Sequence, residues 1–324
     1  MSTLSIARTR KPFRFKWSRF FLYITLVLAA ALFLVPIYLL LITGFKSYQE
    51  VSMANMWNLP KAFSLESFKL AWFGSESGGY RGLSGNFVNS LMLVIPASLT
   101  SAIIGSLNGY VFSKWKFKGS DLIFSLMLFG MFIPYQSILI PMVRVLQGIS
   151  TVTNPLIHAV QGASALSGNH GLFYWLGEFI PGYGTIGGLI LVHVIYGLPI
   201  ATLTFRNYYS GISSELIEAG LIDGDGFLGI YRHILFPISM PGFVVVLIWQ
   251  FTSIWNDFLF GIIVTSDPTV QPITVALNNL AGSYIVEWNV QMAGSLLSSL
   301  PTLLVYIFLS RYFIRGLMSG SLKG

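Results

Sequence analysis

The sequence predicts an all-α membrane protein with six transmembrane helices. Only 10% of its 324 residues are charged and 54% are hydrophobic, and its mean hydropathy is +0.70. Soluble domains carry roughly a quarter charged residues. Six stretches lack Asp, Glu, Lys and Arg, and each has the roughly 20 residues that a helix needs to cross the hydrocarbon core. These stretches are Phe20–Phe45, Phe87–Ser113, Leu122–Val143, Phe179–Phe205, Ile234–Asn256 and Trp288–Ser310.

The predicted spans form one transmembrane domain over residues 20–312. They lie at about residues 20–43, 87–112, 122–143, 185–205, 241–263 and 290–311. The first span follows a basic tail, 1–19, but its apolar run exceeds the roughly 7–15 residues of a signal peptide. We therefore expect an uncleaved anchor. A second tail, 313–324, ends the chain.

The third span and the region after it contain helix-breaking residues. Pro134 and Pro141 predict kinks in the third span. Residues 144–184 contain glycines, prolines and two histidines, His158 and His170, twelve positions apart. We expect an external loop there, with an apolar patch at 171–184 that is too short to span and lies at the membrane interface. The histidine spacing favours solvated side chains over a metal site.

Basic residues predict the orientation of the spans through the positive-inside rule. With the amino terminus in the cytoplasm, fourteen Lys and Arg residues fall inside: Arg8, Arg10, Lys11, Arg14, Lys16, Arg19, Lys114, Lys116, Lys118, Arg206, Arg232, Arg311, Arg315 and Lys323. Five fall outside: Lys46, Lys61, Lys69, Arg81 and Arg144. Both termini are thus predicted to be cytoplasmic. We expect the protein in the cytoplasmic or inner membrane of a bacterium or archaeon. The net charge of +7 is explained by anionic lipid and requires no nucleic acid.

Motifs for catalysis are missing from the sequence. It contains no Gly-Lys dipeptide, and hence no nucleotide-binding P-loop, and no cysteine or His-rich metal spacing. We predict no catalytic residues, no metal and no bound cofactor. Asp257 is the only carboxylate well inside a predicted span, whereas carriers that couple transport to ions tend to need several such groups. If the protein moves a solute uphill, we expect the energy to enter through another subunit.

An unusually acidic inner loop, 207–238, separates the fourth and fifth spans. Ser213 or Ser214 can cap a helix whose first turn carries Glu215 and Glu218. The glycines of "DGDG" (223–226) break that helix, and a second one is predicted over about 227–236, ended by Pro237. Small residues at 219 and 220 predict a flat surface that a partner protein can approach closely. An amphipathic loop resting on lipid headgroups is the alternative, which the acids disfavour.

This loop resembles the EAA loop of ABC importer permeases, whose pattern is E-A-A, three residues, G, nine residues, I-x-L-P. Here Glu218-Ala219-Gly220 precedes Gly224 by the required distance, and Ile234-Leu235-Phe236-Pro237 follows in register. Gly220 and Phe236 depart from the pattern. The stretches "MFIPYQSILIPM" (131–142), "GLILVHVIYGLPIATLTFRNYY" (188–209) and "SIWNDFLF" (253–260) are similar to spans of carbohydrate permeases of the maltose and glucose type, as is the tail "GLMSGSLKG".

The resemblance implies a type I importer permease fold and a set of partners. These are a second permease subunit, two ATP-binding subunits that use ATP and Mg²⁺, and an extracytoplasmic sugar-binding protein. The implied contacts to the ATP-binding subunits are Glu218, Ala219, Gly220, Asp223, Gly224, Ile234, Phe236 and Pro237. The implied contacts to the binding protein lie in the loop 264–287, at Gln271, Thr274, Asn278 and Asn279. The implied cargo is a glucose- or mannose-like hexose or a small oligosaccharide.

Aromatic and polar residues in the third and fifth spans are candidates for the solute pathway, because rings suit the faces of a sugar and amides or carboxylates suit its hydroxyls. They are Tyr135, Gln136, Trp255, Asn256 and Asp257. Alternatives remain for two of them: Trp255 fits an interfacial aromatic belt, and Asp257 fits a structural pair with the partner permease. For the whole protein, the alternatives are an ABC permease for a polyamine, phosphate ester or amino acid, and a self-contained carrier.

Overall fold

A computed structural model describes residues 17–76, 79–166, 176–281 and 286–321. Helices make up nearly all of the regular structure of this part of the chain. The α-helices of this part of the chain are α1 (Trp17–Gly44), α2 (Glu66–Phe73), α3 (Ser84–Lys114), α4 (Ser120–Phe129), α5 (Tyr135–Leu166), α6 (Ile186–Ser210), α7 (Ser214–Ile222), α8 (Phe227–Ile230), α9 (Phe236–Ile238), α10 (Met240–Trp255), α11 (Leu259–Val264), α12 (Ile273–Asn279) and α13 (Trp288–Ser321). A π helix, Tyr231–Leu235, connects α8 to α9. A short antiparallel ribbon pairs β1 (Gly74–Ser75) with β2 (Tyr80–Arg81).

Four of these helices, α1, α3, α6 and α13, are long and apolar enough to cross a membrane without interruption. Two further spans are bent pairs: residues 120–132 meet 135–160 at 106°, and residues 227–238 meet 240–255 at 76°. Six spans are therefore present when each bent pair counts as one. The all-helical membrane class predicted from composition is confirmed.

The third predicted span, 122–143, is broken rather than kinked. Helix α4 ends at Phe129, a single 3₁₀ turn follows, and Ile133 is extended (φ −72°, ψ 121°) before α5 begins at Tyr135. A residue before proline is pushed out of the helical region, and Pro134 supplies no N–H. Beyond the break, α5 runs to Leu166 with Pro141 inside it. The expected loop is thus helical over 144–166.

The observed boundaries of other segments also differ from the predicted ones. The fifth span, predicted over 241–263, consists of α10, a break at 256–258 and α11. Helix α13 continues to Ser321, well past the predicted end of the sixth span at 311. Most of the basic tail (1–16), His170, part of the apolar patch (171–175) and the last three residues lie outside the described part of the chain.

Helices α3 and α6 form the centre of the bundle. Two glycines one turn apart on α3 let the backbones approach closely, as is common between membrane helices. A Cβ on Gly109 would lie 2.7 Å from both the backbone nitrogen of Arg206 and the Cβ of Phe205. A Cβ on Gly105 would lie 2.5 Å from the Cβ of Ala201. Helix α10 packs against both members of this pair, α13 packs on α10, and α1 packs on α13 at the periphery.

Candidate functional site

The acidic segment, defined here as residues 213–239, leaves the bundle at the end of α6. Ser213 caps α7 as predicted, because its hydroxyl accepts a hydrogen bond from the Glu215 N–H at 3.2 Å. The turn after α7 closes through the Asp225 N–H, which donates to the Gly220 carbonyl at 2.9 Å. Gly224 has φ +90°, a conformation that side chains other than glycine's adopt with strain. The predicted helix–turn–helix is present.

The second half of the segment differs from the predicted helix 227–236. After α8 comes a wide π turn, Tyr231–Leu235, followed by α9, which contains Pro237. Since proline has no N–H, it cannot close the ordinary turn onto the His233 carbonyl. Pro237 therefore widens the helix instead of ending it, and the bend comes at Ser239. Pro241 lies in the first turn of α10, as predicted.

The side chains of the acidic segment divide into an outer and an inner set. The outer set is exposed and includes Glu215, Glu218, Ala219, Asp223, Gly224, Phe236 and Pro237. It also includes large apolar side chains, of which Ile222 is 85% exposed and Leu228 68% exposed. The result is an exposed surface that mixes acidic and large apolar side chains.

Gly220 belongs to the inner set, so the prediction of a flat outer surface at 219–220 is wrong for this residue. A Cβ at 220 would lie 2.8 Å from the Ile234 Cδ1 and 3.3 Å from the Ile230 Cγ1. Glycine here lets α7 pack on the half-buried Ile234 and the buried Ile230. Ala219 alone of the two small residues faces outward.

Aromatic packing joins the acidic segment to α3, and a lysine of α3 bonds to the residue just before that segment. The Tyr110 ring stacks on the Phe227 ring at a centroid distance of 4.8 Å, and the Trp115 indole N–H donates to the Tyr110 hydroxyl. Lys114 Nζ donates to the Ile212 carbonyl at 2.6 Å. The basic residues at the end of α3 therefore lie at the same end of the bundle as the acidic segment.

A second candidate site lies where the breaks of the third and fifth spans meet. The Tyr135 ring lies just after the first break and packs edge-on against two other rings. Its centroid is 5.9 Å from that of Phe260 and 6.3 Å from that of Tyr196. His193 Nε2 lies 3.6 Å from Asp257 Oδ2, and these side chains are 7% and 16% exposed. Irregular backbone at membrane depth is tolerated where it lines a cavity or is buried in protein. The rings and the polar pair thus form one cluster at the breaks.

The residues predicted to line the solute pathway fall into two groups: those in or beside this cluster, and one that is buried away from it. Tyr135 and Asp257 join the cluster, and Gln136 and Asn256 are exposed beside the two breaks. Trp255 is 2% exposed, and its indole N–H donates to the Ser298 carbonyl at 2.8 Å. It stacks on Phe251. Trp255 is therefore a core residue within this chain.

His193, Tyr196 and Phe260 were absent from the candidates drawn from the sequence. His193 is a histidine inside a predicted span, and intramembrane ionisable residues indicate function often enough to be considered. Tyr196 lies three positions later, on the same helical face. That spacing is the sequence feature that could have identified both. Among the described residues, no group of three or more His, Asp or Glu is arranged to hold a metal ion.

The outer loop between α11 and α13 is held by amide side chains on α3. Asn86 Nδ2 donates to the Pro268 and Gln271 carbonyls at 2.9 and 2.8 Å. Asn89 Nδ2 donates to the Thr269 carbonyl at 2.7 Å. Within the loop, the N–H and hydroxyl of Thr269 bond to the Asp267 carboxylate and hold its pKa below the usual value.

The four residues predicted to contact a binding protein face different ways. Gln271 is 8% exposed and its amide N–H donates to the Thr265 carbonyl. The Thr274 hydroxyl donates to the Asp257 carbonyl at 2.5 Å. Asn278 and Asn279 are exposed at the end of α12. Gln271 and Thr274 therefore shape the loop, and the two asparagines form its outer surface.

Comparison with known proteins gives consistent relatives. Residues 97–319 match the family described as "Binding-protein-dependent transport system inner membrane component". A probable ABC transporter permease protein of Pyrococcus horikoshii is 38% identical over 308 residues, covering 95% of this chain and 98% of the relative. The xylose/arabinose import permease of Haloferax volcanii is 32% identical, covering 91% of this chain and 90% of the relative.

Solved structures with the same fold include a bacterial ABC transporter involved in the import of the acidic polysaccharide alginate. The TM-score is 0.65 at 17% identity, covering 94% of this chain and all of the other. The predicted type I importer permease fold is confirmed. The family match covers more than half of the chain and the sequence relatives cover nearly all of it, so this chain is a membrane permease that belongs to the family of binding-protein-dependent transport system inner membrane components.

Proposed function

We propose that this protein is a permease subunit of an ATP-driven, binding-protein-dependent importer of sugars. It is a transport subunit, not an enzyme. Relatives named for xylose/arabinose import, glucose import and alpha-glucoside transport support a sugar as cargo. A glucose- or mannose-like hexose or a small oligosaccharide fits the aromatic and polar cluster at the span breaks.

The exposed surface of the acidic segment carries this proposal. It combines Glu215, Glu218 and Asp223 with exposed Leu228 and Ile222 on a rigid, capped element that meets α10 at 76°. Acids interspersed with apolar side chains suit a cleft with a basic rim. We assign this cleft to an ATP-binding subunit, with Glu218 meeting a basic residue there. ATP and Mg²⁺ are used by two such subunits, and this chain binds neither.

The orientation follows from the same surface. The acidic segment lies beside Lys114, and both belong on the cytoplasmic side if ATP-binding subunits dock there. Asn86 and Lys114 lie at opposite ends of α3, about 42 Å apart at 1.5 Å per residue. The loop with Asn278 and Asn279 is then extracytoplasmic and faces the sugar-binding protein. Both termini are cytoplasmic in this arrangement.

The solute pathway runs between this chain and a second permease subunit. In this chain we assign to it the exposed Tyr135, Tyr196 and Asn256 and the pair of Asp257 with His193. Tyrosine rings offer faces to the C–H groups of a pyranose, and the polar side chains offer hydrogen bonds to its hydroxyls. Gln136 lies at the same break and completes the set.

The test is ATP hydrolysis by the purified complex in lipid nanodiscs, measured against a panel of sugars and against a polyamine, a phosphate ester and an amino acid. We expect stimulation by a sugar together with the binding protein. The double variant Glu218→Ala, Gly224→Pro should reach the membrane in normal amounts and lose this stimulation, because proline cannot adopt φ +90°.

Glu66→Ala, which removes an exposed acid at the opposite end of the bundle, is the matched control and should retain the stimulation. Normal stimulation in the double variant would refute the docking assignment. Stimulation only by a non-sugar solute would refute the cargo. Transport by the purified chain alone would indicate a self-contained carrier.

A further inference from the structure

A continuous chain of hydroxyl groups connects the acidic segment to the centre of the bundle. The Tyr231 hydroxyl donates to Ser106 Oγ at 3.0 Å, and Ser106 Oγ lies 2.5 Å from the Tyr209 hydroxyl. The Tyr209 hydroxyl donates to Ser239 Oγ at 3.1 Å. Ser239 Oγ in turn donates to the Phe236 carbonyl at 3.1 Å. The chain thus leaves the acidic segment at Tyr231 and returns to it at Ser239.

The direction of donation along this chain is consistent from end to end. Because Tyr209 donates to Ser239, the proton between Ser106 and Tyr209 comes from Ser106. Each of the four hydroxyls therefore donates once, and the last proton ends on a carbonyl. Ser106, Tyr209 and Ser239 are 0% exposed. In such a dry environment the bonds are strong, and a missing partner is not replaced by water.

The chain of hydroxyl groups crosses the bend at which the acidic segment joins α10. Ser239 lies at the 76° bend between residues 227–238 and α10, with φ −84° and ψ 3°. Ser106 belongs to α3 and Tyr209 to α6, two helices locked together by the close backbone contact at Gly105 and Gly109. The bend is therefore bonded to the α3–α6 pair as well as to its own helix α10.

We propose that Tyr209 is a positioning residue for energy coupling. Through the hydroxyl chain it fixes the angle at Ser239, so that a displacement of the acidic segment turns α3, α6 and α10 together instead of bending the chain at Ser239. Tyr209 contributes both bonds that join the serine of α3 to the serine of the bend. This inference rests on the proposed docking of an ATP-binding subunit on the acidic segment.

Tyr209→Phe removes the central hydroxyl and keeps the ring, which packs on Phe205 and Tyr110. Ser239→Ala removes the bend's hydroxyl and leaves the bond between Ser106 and Tyr209. Tyr208→Phe is the matched control, because the neighbouring Tyr208 hydroxyl also bonds to the acidic segment, at the Ile238 carbonyl, but in an exposed position where water can replace it.

The measurement is hydrogen exchange of the assembled importer in nanodiscs, with and without ATP, Mg²⁺ and vanadate. Without nucleotide, Tyr209→Phe and Ser239→Ala should raise exchange over residues 236–243 about tenfold, the effect of one unsatisfied buried group. Exchange in α1 and α13 should not change, which excludes general loss of stability. With nucleotide, the change in α3 and α6 that we expect in the unmodified protein should be lost in both variants and kept in Tyr208→Phe.

Wild-type exchange over 236–243 in Tyr209→Phe would overturn the proposal. So would a nucleotide-induced change in α3 and α6 that survives in Tyr209→Phe, which would leave the hydroxyl chain with a structural role only. An equal effect of Tyr208→Phe would overturn it as well. A different result would show that the proposed function itself is wrong. In that case, adding nucleotide would leave hydrogen exchange in the acidic segment of the unmodified protein unchanged.

Discussion

Gly220 lies on the inner side of α7, where its Cα faces the side chains of Ile234 and Ile230. Glycine weakens a helix by about 1 kcal/mol relative to alanine, so from propensity alone this residue should loosen α7. The contact with Ile234 reverses that expectation. Alanine would bring its Cβ within 2.8 Å of the Ile234 Cδ1, a distance that forces a side chain or the helix to move. The absence of a side chain at Gly220 therefore makes room for the Cδ1 methyl of Ile234.

We predict that Gly220→Ala lowers stability despite its better helix propensity. Overpacking of this kind costs about 1–3 kcal/mol, and the propensity gain offsets about 1 kcal/mol of that cost. We expect a net loss of about 1 kcal/mol, which lowers the midpoint of thermal unfolding by about 2–4 °C. Ile234→Val lacks the Cδ1 atom and alone should cost about 1 kcal/mol. In the double variant the two changes should compensate. Additive losses in the double variant would show that the two positions are independent.

At the scale of the element, the outer loop is held by side chains of α3 in addition to the bonds within the loop itself. Asn86 and Asn89 lie three positions apart at the start of α3 and donate to carbonyls of Pro268, Thr269 and Gln271. Ser90 accepts from the first N–H of α12, that of Ile273, at 2.8 Å. These bonds satisfy carbonyls that a loop at the bundle end would otherwise direct to water.

The double variant Asn86→Ala, Asn89→Ala should release this loop. Both side chains are buried, at 7% and 2% exposed, and each lost bond is worth about 1 kcal/mol. We expect amide hydrogen exchange over residues 267–273 to rise at least about tenfold. Asn278→Ala, an exposed asparagine of the same loop, serves as the control. Unchanged exchange in the double variant would mean that α11 and α12 hold the loop without α3.

The elements that the sequence predicted best are those with local causes. Charge-free runs of membrane length, the Ser213 cap and the left-handed turn at Gly224 each follow from neighbouring residues. The break at Pro134 and the π turn before Pro237 could not be predicted from the prolines alone. A proline removes one N–H donor, and a helix can respond by breaking, kinking or widening. The buried position of Trp255 and the inward face of Gly220 depend on Ser298 and Ile234, residues brought together only by the fold.

For the whole molecule, α3 connects two functional ends about 42 Å apart. One end holds the outer loop through Asn86, and the other half of the helix bonds to the acidic segment through Ser106 and to Ile212, just before that segment, through Lys114. The cluster of Tyr135, His193 and Asp257 lies beside α6, the close partner of α3.

The predicted orientation can be measured by labelling, because the chain contains no cysteine. Single variants Ile222→Cys and Asn279→Cys place a thiol at exposed positions of the acidic segment and the outer loop. A membrane-impermeant maleimide added to intact cells should label position 279 only. After the cells are opened and the protein is unfolded in detergent, so that no partner subunit covers position 222, the maleimide should label both positions. Labelling of position 222 in intact cells would invert the orientation.

The central claim is that the acidic segment docks on an ATP-binding subunit. Its most direct test is a photo-crosslinking amino acid at position 222, which is 85% exposed in α7, compared with the same amino acid at Phe63, which is 77% exposed at the other end of the bundle. In the importer assembled in its membrane, position 222 should crosslink to the ATP-binding subunit and position 63 should not. A crosslink to that subunit from position 63, or none from position 222, would contradict the claim.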